Sequence, residues 1–404
     1  MSSLAKPLAS RARVGVGLLF FVNAVAFASI VPRYIDFRDA FSLDNAAFGL
    51  VIAAGPVGSL AAGLIAGRLV RRIGSGPTAV ASSATLGLNL LLVSVASDAV
   101  SLAVALFVAG VLDGTGDIAN NAHGMRVQRI LGRSVISGLH GVWSIGAIVG
   151  GISATLAATN GISIGAQLVT TGIIIAVVSV SAGVLLRLPE VDTSERASTT
   201  ATASHRFATV SFLAILGVAF AGAMLEDTVS TWGGIYLVDV VGIPEVDAGI
   251  AFIVFMTALT LGRLTGDGAI DRWGSMRVLT VGAGCAAAGM LLVLLVPTLW
   301  ASLTGFSIVG IGIATMIPTA MHAADETRGL RPGAGLTLAS IVMRVGFLIA
   351  PPTIGILADA TTLRMALLVA PIIALSVIAL ARVVSIRDSR ATTESSTTNH
   401  VRET

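Results

Sequence analysis

The chain alternates long apolar runs with short polar breaks. Twelve runs hold about 20 mostly apolar residues each, the length at which a helix crosses the hydrocarbon of a bilayer. They are 14–35, 46–67, 77–97, 99–124, 137–158, 162–187, 208–235, 247–267, 277–296, 298–323, 336–357 and 363–384. Strands of a membrane barrel would alternate apolar and polar positions over about 10 residues, and these runs do not. The pattern predicts an all-α membrane protein with twelve transmembrane helices. The segment 188–207, LPEVDTSERASTTATASHRF, is the one long polar interior break and reads as a flexible linker. It separates an N-terminal six-helix bundle, 1–187, from a C-terminal one, 208–384. The stretch 385–404, rich in Ser, Thr and charge, reads as a disordered tail.

Composition agrees. Charged residues make up only 12% of the chain, against roughly 25% in a soluble domain that must cover its surface. Mean hydropathy is +0.92. The 45 glycines suit close helix approach in lipid. The basic stretch before the first run leads into an apolar segment too long for a signal-peptide core, so it is expected to be a span. The pI of about 9.7 does not signal nucleic acid, because the arginines are scattered singly between apolar runs. The lone Cys285 lies in an apolar run with no metal-ligand spacing around it.

The loop cations sort to one side. With the N-terminus inside, one face carries Lys6, Arg11, Arg13, Arg68, Arg71, Arg72, Arg126, Arg129, Arg133, Arg187, Arg196, Arg206, Arg272, Arg277, Arg328, Arg331, Arg382 and the tail arginines Arg387, Arg390 and Arg402. The other face holds only Arg33, Arg38 and Arg364, among Asp36, Asp39, Asp44, Asp98, Asp239, Glu245, Asp247 and Asp359. The excess of cations marks the cytoplasmic side. Both termini are therefore expected in the cytoplasm and the protein in the cell membrane.

The halves also repeat at an offset of 200. Gly49 matches Gly249, Gly110 matches Gly310, Thr115 matches Thr315 and Gly146 matches Gly346. Arg72-Ile73-Gly74-Ser75 matches Arg272-Trp273-Gly274-Ser275. Two six-helix repeats in parallel relation predict such an offset. The loops IAGRLVRRIG (65–74) and GRLTGDGAIDRWG (262–274) resemble the G-x-x-x-D-R-x-G motif of the major facilitator superfamily. Asp271, Arg272 and Gly274 match it in the second half. Gly67, Arg72 and Gly74 match in the first, where Arg71 replaces the acid. The segments DGTGDIANNAHG (113–124), LHGVWSIGAIVGG (139–151) and GRLTGD (262–267) resemble the branch that includes MosC and YbjJ.

The resemblance implies that the first helix of each three-helix unit lines a central cavity, and that the motif acid belongs to a conformational gate. Charge at membrane depth costs about 2.5–3.5 kcal/mol on insertion scales, so each case needs a reason. Asp113, Asp117 and Asn120 on the fourth helix are spaced i, i+4, i+7 and form one stripe. They bind substrate or a proton, or form a structural network. On the seventh helix, adjacent Glu226 and Asp227 lie about 100° apart, so one faces the cavity and the other a neighbour; Trp232 follows. Arg344 on the eleventh helix must find a carboxylate, carbonyl or water, with Glu226, Asp227 and Asp113 as candidate partners. Asn23, His140 and Trp143 complete the binding set. Arg263 and Asp267, at i and i+4, are expected to pair. With Arg72, Gly74, Asp271 and Arg272 they read as a gate or clasp.

There is no nucleotide-binding G-x-x-x-x-G-K-[ST], no Ser–His–Asp pattern and no metal-ligand cluster. No cofactor, metal or nucleic acid is expected, and the chain is not expected to be an enzyme. The resulting expectation is a secondary active transporter, monomeric and in contact with lipid, moving a small polar, sugar-like solute, with protons as coupling ion. The alternatives are a drug or metabolite exporter of the same fold and a membrane sensor that does not transport.

Overall fold

The computed structural model describes residues 5–188, 209–327, 329–330 and 333–383. The described residues form twelve helices long and apolar enough to cross a membrane, and no strands. The first half holds α1 Lys6–Ala40, α2 Asn45–Ile73, α3 Ser75–Ser94, α4 Ala99–Leu131, α5 Gly138–Thr159 and α6 Ile164–Leu186. The second holds α7 Val210–Val241, α8 Glu245–Trp273, α9 Ser275–Leu295, α10 Leu299–Asp325, α11 Ala334–Ala360 and α12 Leu363–Val383. Helices are what the apolar runs dictate, since each peptide group finds its partner inside its own segment. Several extend beyond the expected runs: α4 continues seven residues past 124, to Leu131. The expected linker, Leu188 apart, and the tail 385–404 lie outside the described residues.

The outer surface is oily. Leu64, Val100, Val177, Leu264 and Ile372 are exposed, as suits helices facing lipid. The core is built by close approach. α4 packs on α2 where a Cβ at Gly110 would run into the Gly55 carbonyl, and α10 packs on α8 where Gly310 meets the Phe255 carbonyl. Gly146 on α5 meets Phe21 of α1, and Gly346 on α11 meets Phe220 of α7. The offset of 200 is thus a repeat of contacts as well as of letters. The two matched loops are also superposable in kind. Gly74 (φ +90°) and Gly274 (φ +82°) each end a helix, donating to Val70 and Ile270 at 3.0 and 2.8 Å. Both adopt a positive φ that L side chains avoid.

The halves meet along two seams, α2 with α11 and α5 with α8. Near the acidic loops both are tight. Gly49 abuts the Pro351 carbonyl and Gly355 the Asn45 carbonyl, while Gly249 meets Thr155 and Pro32 and Gly151 meets Phe252. Arg38 donates to both oxygens of Asp239 at 2.5 and 2.9 Å, joining α1 to α7. All three arginines among the acidic loops are held: Arg33 by Asp36 (3.0 Å) and the Ile162 carbonyl, Arg38 by Asp239, and Arg364 by the Leu294 carbonyl at 2.7 Å.

Toward the basic loops the seams part. A Cβ on Gly63, one turn beyond Ser59 on α2, would meet nothing within 4 Å, and the same holds for Gly141 on α5. His140 lies eleven residues from Gly151, hence on the same helix face, yet it is exposed. The molecule is closed at its acidic end and cleft at its basic end.

Candidate functional site

The cleft ends at mid-depth in a polar cluster. Asp113 lies near the middle of α4. Its Oδ1 accepts from Asn23 Nδ2 of α1 at 2.8 Å, and Asn23 Oδ1 accepts from Trp143 Nε1 of α5 at 3.0 Å. Three helices of the first half are tied through one amide. One turn along, Asp117 accepts from Asn121 Nδ2 at 2.8 Å and pairs with Arg344 Nη2 at 3.2 Å. Arg344 belongs to α11, so this ion pair crosses between the halves. Its other nitrogen donates to Ser59 Oγ of α2. The Asp117 side chain is 41% exposed, although it lies in the interior of a spanning helix; the cleft reaches it. His140 approaches the same region, within electrostatic reach of Asp117 and Arg263, with its ring edge-on to Phe20 at 5.3 Å.

The second half carries its own pair. Glu226 is buried on α7 and accepts from Arg263 Nη2 of α8 at 2.8 Å. Asp227 points elsewhere, accepting from Thr231 Oγ1 at 3.3 Å and lying within electrostatic reach of Tyr34 on α1. One acid therefore faces a neighbour in its own half and the other faces the opposite half, as the 100° step requires. Four carboxyls at depth face two guanidiniums. Asp117 and Glu226 have cations; Asp113 and Asp227 make no ion pair among the described residues.

Several expectations need correction. Arg263 pairs with Glu226 on α7 and not with Asp267, which is exposed. A partner on a packed neighbouring helix reaches a desolvated position, and an i+4 neighbour on the open face does not. Arg344 pairs with Asp117 and none of the three acids expected. Asn120 shares the stripe but is 1% exposed, with Oδ1 unbonded, and does not join the cluster. Trp232 is fully buried and sits edge-on to Phe48 at 5.6 Å, far from an aqueous role. Of the gate residues, Arg72, Asp271 and Arg272 are exposed and form no ion pair among the described residues; Arg272 lies over Trp273 at 6.0 Å. Sequence reasoning missed Ser59, since a lone Ser in an apolar helix gives no signal of its own.

The model of the Major Facilitator Superfamily matches residues 16–331. The chain belongs to the major facilitator superfamily. Curated relatives share its length. An uncharacterized transporter of Sinorhizobium fredii, y4wD, is 28% identical over 376 residues, covering 91% of this chain and 97% of that protein. An MFS-type transporter of Yersinia pestis is also 28% identical, covering 92% and 96%. The membrane protein MosC of Rhizobium meliloti is 23% identical, covering 87% and 85%. Among solved structures, a bacterial homologue of the lysosomal transporter Spinster aligns with a TM-score of 0.72 at 15% identity, covering 95% of this chain and 98% of that one. The nucleoside transporter NupG aligns at 0.66 and 13% identity, covering 92% and 98%. These likenesses establish the major facilitator fold and a transporter embedded in a membrane.

Proposed function

We propose that this chain is a secondary active transporter of the cell membrane, with both termini cytoplasmic, that moves a small polar solute by alternating access and couples the movement to protons. With that orientation the cleft opens to the cytoplasm. The observation that carries the reading is the mid-depth cluster Trp143–Asn23–Asp113 beside Asp117–Arg344, drawn from both halves at the blind end of the cleft. A solute entering there meets hydroxyl, amide, carboxylate and guanidinium groups, and it must compete with the Asp117–Arg344 ion pair that links α4 to α11. A sugar-like solute fits this mixture of donors and acceptors, with the Trp143 ring available as an apolar face. Asp113 forms no ion pair among the described residues, and a proton is the smallest cation that can neutralise it in a site that charge enters at a cost.

The test uses purified protein in sealed vesicles. A thermal-shift screen of sugars, polyols, acids and nucleosides first selects a ligand, since a true ligand stabilises the folded state. Uptake of that ligand is then measured with and without an inward proton gradient. Asp113→Asn should abolish the response to the gradient while leaving ligand-induced stabilisation in place. Undiminished gradient-driven uptake by Asp113→Asn removes the proton role from this residue.

A further inference from the structure

The acidic end is shut by unlike means on its two seams. On the α2–α11 seam, Asp359 in the last turn of α11 reaches across to the start of α2. Its Oδ1 accepts from the Asn45 backbone N–H at 3.1 Å and from Asn45 Nδ2 at 2.9 Å; its Oδ2 accepts from the Ala46 N–H at 2.7 Å. The next free N–H, that of Ala47, is taken by α2's own cap, Asp44, at 2.7 Å. The first turn of α2 is therefore capped twice, once by its own half and once by the other. Helix N-termini leave N–H groups without intrahelical partners and favour a negative charge there. The backbones touch at the same place, Gly355 on the Asn45 carbonyl.

The pseudo-symmetric seam has no such device among the described residues. The counterpart of Asp359 is Thr159, whose hydroxyl donates to Leu156 in its own helix. There α8 is held by shape, with Gly249 against Thr155 and Pro32.

We propose that Asp359 is a conformation-dependent cap: it completes the N-terminus of α2 only while the acidic end is closed, and so biases the transporter toward the state open at the basic end. The α2–α11 seam thus carries a charged contact beside the Arg38–Asp239 pair that joins α1 to α7, and the α5–α8 seam carries no equivalent charge among the described residues. This rests on the alternating access proposed above.

Spin labels read it directly, in full-length protein with Cys285 replaced by Ala. One pair, Val95→Cys with Val296→Cys, spans the halves at the acidic end; Ile73→Cys with Trp273→Cys spans them at the basic end. All four positions are exposed. Loss of hydrogen bonds to a charged acceptor at this strength should raise the acidic-end-open population about tenfold in Asp359→Ala. The acidic-end distance should lengthen and the basic-end distance shorten together, while Thr159→Ala changes neither. Lengthening at the acidic end with no change at the basic end would be loosening of the fold and overturns the cap. Unchanged distances alongside intact transport overturn the cap alone. Fixed distances in parent and variant alike, with no transport, overturn the carrier reading as well.

Discussion

The two halves share a scaffold and almost none of their chemistry. Positions that set backbone approach recur at the offset of 200: Gly74 with Gly274, Gly110 with Gly310, Gly146 with Gly346. Positions that carry charge at depth do not. Asp113 and Asp117 stand where the second half has Ile313 and Ile317, and Trp143 where it has Met343. Arg344 matches Ser144, Arg263 matches Gly63, and Glu226 and Asp227 match Ala26 and Phe27. A repeated fold constrains where helices touch, and the helix faces that meet the cleft are free to diverge. Symmetry in this protein therefore marks structure, and departure from symmetry marks the candidate site.

The scaffold side of that contrast breaks most visibly at α2–α4. Gly110→Ala places a Cβ into the Gly55 carbonyl, and both partners are backbone, so the helices must separate. Gly310→Ala meets the Phe255 carbonyl at 2.8 Å, a milder overlap. Overpacking costs about 1–3 kcal/mol. Gly110→Ala is expected at the upper end and Gly310→Ala near the lower, read as loss of thermal stability in detergent. Equal losses would mean that the two contacts are not graded by fit.

The chemical side is sharpened by Glu226–Arg263. Removing one member of a buried pair costs about 3–5 kcal/mol. Arg263 is 28% exposed, which screens the charge and brings the expectation for Arg263→Met to about 2 kcal/mol. Adding Glu226→Gln should recover most of that loss, because the stranded carboxylate is gone. If the double variant is no better than Arg263→Met, the arginine acts through packing and the pair does not hold α7 to α8.

This pair also shows how far the sequence could be read. The number of spans and the repeat follow from apolar runs and from fixed spacing, which are local signals, whereas the helices run past the apolar stretches at several ends. Asp113, Asn23 and Trp143 were identifiable as polar groups at membrane depth, but their joining through the Asn23 amide depends on how α1, α4 and α5 pack. For Arg263 the nearest acid along the helix was Asp267, four residues away, while the actual partner lies 37 residues back on α7. Helical spacing tells which residues share a face, and it does not tell whether that face meets a neighbour or opens into a cleft. Arg344 failed for the same reason, since Asp117 and Ser59 reach it across the boundary between halves.

The smallest expected effect lies at the start of α4 and α10, where the halves differ in a single cap. Asp98 accepts from the Ser101 N–H at 2.8 Å, and Ser101 Oγ accepts in return from the Asp98 N–H at 3.1 Å. Its counterpart Thr298 makes no side-chain cap. The hydrogen bonds from Ser101 hold the Asp98 carboxyl below its usual range, so the folded state binds its proton less readily than the unfolded state does. That stabilisation is complete above the unfolded value, about 4, and is lost as pH falls through the lowered folded value. Asp98→Ala should lower the Tm at pH 7 by a small amount, and the gap to the parent should close as pH drops below about 4. Thr298→Ala should leave Tm unchanged at either pH. A gap that persists in acid would assign the effect to the altered side-chain volume, and the ionised cap would then play no part in the difference between the halves.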